Sequence, residues 1–298
     1  MEIIFLGTSA MVPTKERAQS AVALVYEGEA VLFDCGENTQ RQMKIANIPL
    51  PKVSTILISH WHGDHVLGLP GLLQSLSGHD YDKTLHIIGP RGTKKHMEHL
   101  LQAFIFDKSM ISFEVHECEK GGIIRENPSY MISALPLDHK VPTIGFVFVE
   151  KDKRRIDMEK AKAYGIPNGP LLGDIQRGTP IIHGKRRILP EQVSYIVKGK
   201  KVAYVADTSM VKNCITLAKE ADILICESTY DKALEDKAEE HHHLTAEQAG
   251  MIASQGKVGQ LVLTHFSGRY KETDLLVEEA KLQFQDTIAA RDFLRIKL

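Results

Sequence analysis

The run Ser59-His60-Trp61-His62-Gly63-Asp64-His65 packs three histidines and an aspartate into the six residues that follow the apolar stretch Val53–Ser59. Neutral imidazole and carboxylate are the donors that borderline divalent cations such as zinc accept. A strand end exposes its loop at a sheet edge, where donors can converge. His60 and His62 are two apart and can point the same way, while Asp64 and His65 can turn toward a second position. A polar, histidine-rich surface loop is the plain alternative. It accounts well for one isolated histidine and poorly for this cluster placed directly after a strand.

One loop cannot complete a four-coordinate site, still less a metal pair. Further candidates stand at the ends of other apolar runs. His139 follows Ala134-Leu135-Pro136-Leu137-Asp138, Asp207 follows Val202–Val205, and His265 follows Leu261-Val262-Leu263-Thr264. Together these groups could serve two metals about 3.5–4 Å apart with a bridging carboxylate. Asp207 is the natural bridge, because one carboxylate has two oxygens.

The elements that must position these residues are legible as short apolar runs with turns between them. Strands are expected at Glu2–Leu6, Ser20–Tyr26, Ala30–Phe33, Val53–Ser59, Leu85–Ile88, Ser112–Val115, Tyr130–Ala134 and Gly145–Val149. Glu27-Gly28-Glu29 reads as a hairpin turn. Lys94–Phe106 has helical periodicity, with Met97, Leu100, Leu101 and Phe104 on one face. After residue 200 strands and helices alternate: Val202–Val205, the helix Val211–Glu220, Ile223–Cys226, the helix Ala246–Ser254, Gln260–Leu263, and a last helix over about Asp274–Phe284. Two such halves suggest an α/β fold in which two sheets pack face to face with helices outside.

Composition sets the frame. The chain has 298 residues, 37 basic and 38 acidic side chains, 43% apolar residues and 6% aromatics, which is ordinary for a globular protein with an aliphatic core. No stretch approaches the ~20 apolar residues that span a bilayer. The N-terminus lacks a basic signal-peptide region and reads as a strand. Four scattered cysteines, Cys35, Cys118, Cys214 and Cys226, form no C-x-x-C pair and are expected as reduced thiols. These features lead to the expectation of a cytoplasmic protein with no membrane partner.

One segment departs from the average. Residues 150–200 carry twelve Lys/Arg and six Asp/Glu, a local charge of +6 against −7 for the remainder. With Pro167, Pro170, Pro180 and Pro190 and little apolar periodicity, the segment looks like an insertion. It is either a solvated excursion or a basic arm that grips phosphates.

The H-x-H-x-D-H loop with the later residues resembles the metallo-β-lactamase superfamily of hydrolases. Within it the chain resembles the ribonuclease Z family, endonucleases that trim the 3′ end of precursor tRNA. The resemblance covers nearly the whole chain. It rests on Phe5-Leu6-Gly7-Thr8, Leu32-Phe33-Asp34-Cys35-Gly36-Glu37, Thr39-Gln40, Gly63-Asp64-His65 and Gly68-Leu69-Pro70-Gly71-Leu72-Leu73. It continues through Ala206-Asp207-Thr208, Glu227-Ser228-Thr229-Tyr230, His243-Leu244-Thr245, Glu247-Gln248-Ala249, and Thr264-His265 through Arg269-Tyr270.

The resemblance implies an αβ/βα four-layer sandwich, residues 1–298, with a flexible exosite arm inserted at 150–200. His60, His62 and His139 would hold one divalent metal; Asp64, His65 and His265 the other; Asp207 would bridge, with zinc as the favoured ion. Asp64 would also orient the attacking water or accept its proton. His243 is the candidate general acid for the leaving 3′ oxygen, oriented by Glu227. Thr245 and Gln248 have capping-box spacing, which sets His243 just before a helix N-terminus. His241 and His242 are expected at the surface, as are His79, His86, His96, His99, His116 and His183. In the arm, Gly169 and Pro170 resemble the family's tRNA-contacting exosite, though both also suit an ordinary turn. Arg269 joins the substrate contacts. Lys15 and Arg17 belong to a loop like the family's P-x-K-x-R-N, which senses the CCA end; Ala18 stands where that pattern has Asn. The family further implies a homodimer acting on precursor tRNA. The alternative reading is a phosphodiesterase or thioesterase of the same fold acting on a small molecule.

Overall fold

A computed structural model describes residues 1–79 and 81–298. They divide into two compact units: Met1–Glu126 with Ile132–Phe148 and Lys201–Leu298, and Asn127–Met131 with Val149–Lys200.

The chain opens with β1 (Glu2–Gly7), β2 (Ala21–Tyr26), β3 (Glu29–Phe33), α1 (Thr39–Ile45), β4 (Val53–Leu57), α2 (Gly63–Val66), α3 (Leu69–Ser77), β5 (Thr84–Gly89), α4 (Thr93–Gln102) and β6 (Ser112–Glu117). Then come β7 (Gly122–Glu126), β8 (Tyr130–Leu137) and β9 (Thr143–Glu150). The second unit contains β10 (Lys153–Ile156), α5 (Met158–Ala163), α6 (Pro170–Gln176), β11 (Ile181–His183), β12 (Arg186–Ile188), α7 (Pro190–Val193) and β13 (Ser194–Val197). The chain closes with β14 (Lys201–Val205), α8 (Lys212–Ala218), β15 (Ile223–Glu227), α9 (Glu235–His241), α10 (Ala246–Gly256), β16 (Gln260–Thr264), α11 (Asp274–Lys281), β17 (Thr287–Ala289) and β18 (Arg295–Lys297).

The strands form two seven-stranded sheets, in the orders β18-β1-β2-β3-β4-β5-β6 and β17-β16-β15-β14-β9-β8-β7. Phe33 of the first sheet stacks on Tyr204 of the second, with ring centroids 5.1 Å apart, and Tyr26 meets Phe148 edge-on at 5.6 Å. The opposite face of the first sheet buries Ile4, Leu6, Leu32, Ile56, Leu85 and Ile87 against α1, α3 and α4. Helices α8, α10 and α11 lie on strands of the second sheet. This is the four-layer αβ/βα arrangement expected.

Local chemistry explains the boundaries. Tyr26 pairs with Glu29, so the hairpin turn is the two-residue loop Glu27-Gly28, with φ of 47° and 86°. Both angles are positive, as a type I′ turn requires. Helix α10 begins with a capping box: Gln248 N donates to Thr245 Oγ1 at 3.2 Å and Thr245 N to Gln248 Oε1 at 3.0 Å. Helix α4 is shorter than the periodicity suggested and stops at Gln102. Phe104 and Phe106 instead turn onto each other, 6.0 Å between centroids, and pack on the core. Helix α3 was not anticipated, although Leu69, Leu72, Leu73 and Leu76 form a helical stripe and are buried.

The second unit is a folded module. Its core is Ala161, Ile166, Ile175, Ile181, Ile188 and Val193, and its strands form the antiparallel pairs β10–β13 and β11–β12. These apolar residues are spread over several short elements, so no periodicity shows along the segment.

Candidate metal centre and active-site cleft

Strand ends supply the site. Strands β14, β15 and β16 run parallel, and their carboxyl ends present Asp207, Glu227 and His265 together. In open sheets, ligands gather at such carboxyl ends. β4, parallel to β3 and β5, delivers His60 and His62, with Asp64 and His65 in the short α2 that follows. β8 delivers His139. Two close backbone approaches hold α2 in place. Cys35 N donates to His65 O at 2.8 Å, and Gly68 N to Cys35 O at 2.9 Å. A Cβ on Gly68 would lie 2.0 Å from Gly36 O, so only glycine fits there.

The seven expected donors converge as two sets. In the first, His60 Nε2 and His139 Nε2 lie 3.0 and 3.3 Å from His62 Nδ1, and 3.7 and 4.0 Å from Asp207 Oδ2. In the second, His65 Nε2 and His265 Nε2 are 3.2 Å apart. Each lies 3.4 Å from Asp64 Oδ2, and they are 3.5 and 3.4 Å from Asp207 Oδ1. Asp207 thus gives one oxygen to each set. Its Oδ1 is buried without a hydrogen-bond partner among the described residues. A tetrahedral site with bonds near 2.1 Å has donor–donor edges of about 3.4 Å. The residues therefore fit two divalent cations.

The outward ring nitrogens of His60, His65, His139 and His265 are held in turn, which fixes their tautomers. His60 Nδ1 meets Ser59 Oγ at 3.0 Å, His65 Nδ1 meets Asp34 Oδ2 at 2.8 Å, and His139 Nδ1 donates to His242 O at 2.9 Å. His265 Nδ1 donates to Thr229 Oγ1 at 2.9 Å, and that hydroxyl donates to Glu227 Oε2 at 2.6 Å. Asp34 also accepts from Ser59 N, Ser59 Oγ and, from the facing sheet, Tyr204 OH at 2.8 Å. Asp34, Ser59, Thr229 and Tyr204 had no assigned role. The strand-end signal that marked Asp207 marks Asp34 equally, since it directly follows β3.

Electrostatics suit ligation at five donors; at His65 burial favours the neutral ring, but Asp207 and Asp34 outweigh it. Burial pulls His60, His62 and His139 below the usual histidine range, toward the neutral form that binds metal. Burial disfavours charge on Asp64, but hydrogen bonds from His265 and His65 hold it far below the carboxylate range. Burial likewise opposes charge on Asp207, and the surrounding histidines, His265 and His65 foremost, outweigh it.

His243 stands beside the donor sets, its Nδ1 3.1 Å from both oxygens of fully buried Glu227 and 3.8 Å from Asp207 Oδ2. Burial lowers its proton affinity, yet Glu227 and Asp207 outweigh that and lift its pKa to about 9. Five of the donors, His62, Asp64, His139, Asp207 and His265, line a cleft of about 500 Å³ with His243, Tyr230, Lys140 and Met11. Met11 N donates to Asp64 Oδ2 at 2.7 Å. His241 also lines the cleft, where its Nδ1 lies 3.3 Å from Lys140 Nζ. His242 is more than a surface residue, since its carbonyl orients His139.

The substrate-contact residues separate. Arg269 lies over the Tyr230 ring, 5.2 Å from its centroid, at the cleft margin. Lys15 and Arg17 line a separate cavity of about 320 Å³ with Ala18, Arg41 and Asp292. Arg17 is turned inward: it donates to Tyr270 O at 2.6 Å and Lys271 O at 2.9 Å and covers Phe266. It fastens its loop to the one after His265. Gly169 and Pro170 belong to the second unit, where Gly169 precedes α6 with φ 145° and Pro170 takes the first helical position.

Comparisons with known proteins bear on identity. A family model for the anti-Pycsar protein Apyc1 matches residues 1–153, and one for the beta-lactamase superfamily domain matches residues 172–266. Ribonuclease Z of Methanothermobacter thermautotrophicus is 41% identical, covering 100% of this chain and 97% of that protein. Ribonuclease Z of Chlamydia muridarum is 38% identical, covering 98% and 95%. The crystal structure of the short form of human tRNase Z superposes with a TM-score of 0.74 at 29% identity, covering 100% of this chain and 99% of that one. The Apyc1 match stops before Asp207, Glu227, His243 and His265. The full-length relatives span all of them, and by that continuous similarity this metallo-β-lactamase-fold chain belongs to the ribonuclease Z family.

Proposed function

We infer that this protein is a metal-dependent endoribonuclease that removes the 3′ trailer of precursor tRNA. The cut falls next to the discriminator nucleotide, leaving a 3′-hydroxyl on the tRNA and a 5′-phosphate on the trailer. One observation carries the reading: a histidine backed by a buried carboxylate stands within 4 Å of the residue shared by both donor sets.

His60, His62, His139 and Asp207 would hold one cation, and Asp64, His65, His265 and Asp207 the other; zinc suits the donors. Bound there, the cations would acidify water and neutralise charge on the scissile phosphate. Asp64 orients the attacking water, whose proton passes to solvent. The water oxygen bonds to phosphorus as the bond to the 3′ oxygen breaks. The electron pair passes to that oxygen, which takes the proton of His243. Glu227 keeps His243 oriented and charged until that moment. Arg269 and Lys140 add positive charge at the cleft. Lys15 stays exposed for a phosphate, whereas Arg17 shapes its loop. Gly169 and Pro170 form the arm's exosite for the tRNA body, read by shape and phosphates. Family membership further supports a homodimer and, with precursor tRNA as substrate, a cytoplasmic location.

The test is incubation with a 3′-extended precursor tRNA beside a His65→Ala variant and a chelated sample. A single cut at the discriminator, absent from both controls, is expected. Hydrolysis of a bis-aryl phosphodiester without tRNA cleavage would move the assignment to a small-molecule phosphodiesterase.

A further inference from the structure

Outside the cleft, β5 and β6 pair in parallel, with His86 opposite Glu114 and Ile88 opposite His116. Alternate residues share a face, so His86, Glu114 and His116 project together. His116 Nε2 lies 3.2 Å and His86 Nδ1 3.5 Å from the same oxygen, Glu114 Oε2. One donor atom from each of the three lies within 4.8 Å of the others. The rings stack with centroids 6.1 Å apart and 24° between planes.

A tetrahedral zinc site has donor–donor edges of about 3.4 Å. Two of the three edges here already match. The third, within 4.8 Å, closes by a small rotation of His116, whose side chain is 51% exposed. Burial, reinforced by Arg125, keeps His86 toward the neutral form that ligates, with Glu114 and Glu29 opposing only in part. The same row carries a polar atom in need of a partner. Thr55 on β4 is in register with His86, and its buried Oγ1 has no hydrogen-bond partner among the described residues.

We propose that His86, Glu114 and His116 form a third metal site, for a borderline divalent cation of the zinc class. Two imidazoles and one carboxylate select such an ion over magnesium or calcium, which take all-oxygen shells. Three protein donors leave a fourth position for water. The ion would clamp the edge strand β6 onto β5. The site uses none of the cleft residues and stands or falls independently of the reaction.

Calorimetric titration of Zn²⁺ into holoenzyme already carrying its cleft metals tests this, with Glu114→Gln and His116→Ala in parallel. Both residues are exposed, and unchanged melting before zinc addition verifies that the variants fold. The wild type is expected to take up one further equivalent. His116→Ala should take up none, and Glu114→Gln should bind at least tenfold more weakly, with tRNA cleavage unchanged in both. No further equivalent in the wild type, or equal uptake by the variants, would overturn the proposal.

Discussion

Glu227 accepts from His243 through both carboxylate oxygens, each 3.1 Å from Nδ1, with the carboxylate wholly buried. Desolvation alone would discharge the imidazole; the paired negative charge reverses that and sets its pKa at about 9. A general acid works while protonated, so kcat should hold below that value and fall as pH rises through it. Glu227→Gln keeps the shape and removes the charge. Its alkaline limb should move to lower pH, with kcat down about 10²-fold, and His243→Ala should lose about 10³-fold. A pH profile of trailer cleavage decides. An alkaline limb unmoved in Glu227→Gln would remove His243 from the role.

Asp34 reaches the second donor set through the ring of His65, whose Nδ1 it holds at 2.8 Å. Asp34→Asn should weaken metal binding about 10–100-fold, read by chelator competition. Tyr204→Phe removes one of the four hydrogen bonds converging on Asp34 and should cost about 1 kcal/mol of stability with a smaller affinity loss. Equal metal affinity in wild type and Asp34→Asn would show that His65 needs no such support.

The inward guanidinium of Arg17 separates it from its neighbour Lys15. Arg17→Ala should lower stability by about 1–3 kcal/mol in urea melts, and lysine should not rescue, because two carbonyls are held by one planar fork. Lys15→Ala should leave stability within about 0.5 kcal/mol while weakening tRNA binding. Reversal of this pattern would return Arg17 to direct substrate contact.

All four cysteines are buried and unpaired. Burial pushes the Cys35 thiol to about 12 and Cys214 to about 11, and raises Cys118 and Cys226. The native protein at pH 8 should therefore react slowly with an aromatic disulfide reagent, all four thiols titrating only on denaturation. A fast-reacting thiol in the folded protein would contradict this.

Much of the centre was legible because its donors obey one local rule: a titratable residue directly after an apolar strand. His60, His139, Asp207 and His265 all satisfy it. Pairing into sets is a matter of three-dimensional convergence, which no local pattern carries, and the family resemblance supplied it. Arg17 shows the opposite limit. Its partners Tyr270 and Lys271 lie more than 250 residues away, so sequence shows a cation in a turn and says nothing of where it bends. Helix α4 fell short because Phe104, which fits the helical period, turns onto Phe106 and the core instead.

The order in which the donors occur along the chain has a consequence for biogenesis. His60 through His65 are synthesised early, but Asp207 and His265 come far later, His265 only thirty-three residues before the end. At ordinary translation rates the ribosome needs about 10–40 s to travel from His60 to His265. A nascent chain halted before His265 has one donor set whole and the other broken, so a second ion would have nowhere complete to settle. On the proposed two-cation reading, nuclease activity would be withheld until synthesis is nearly finished, and an incomplete translation product would be inert toward the RNAs around the ribosome that made it.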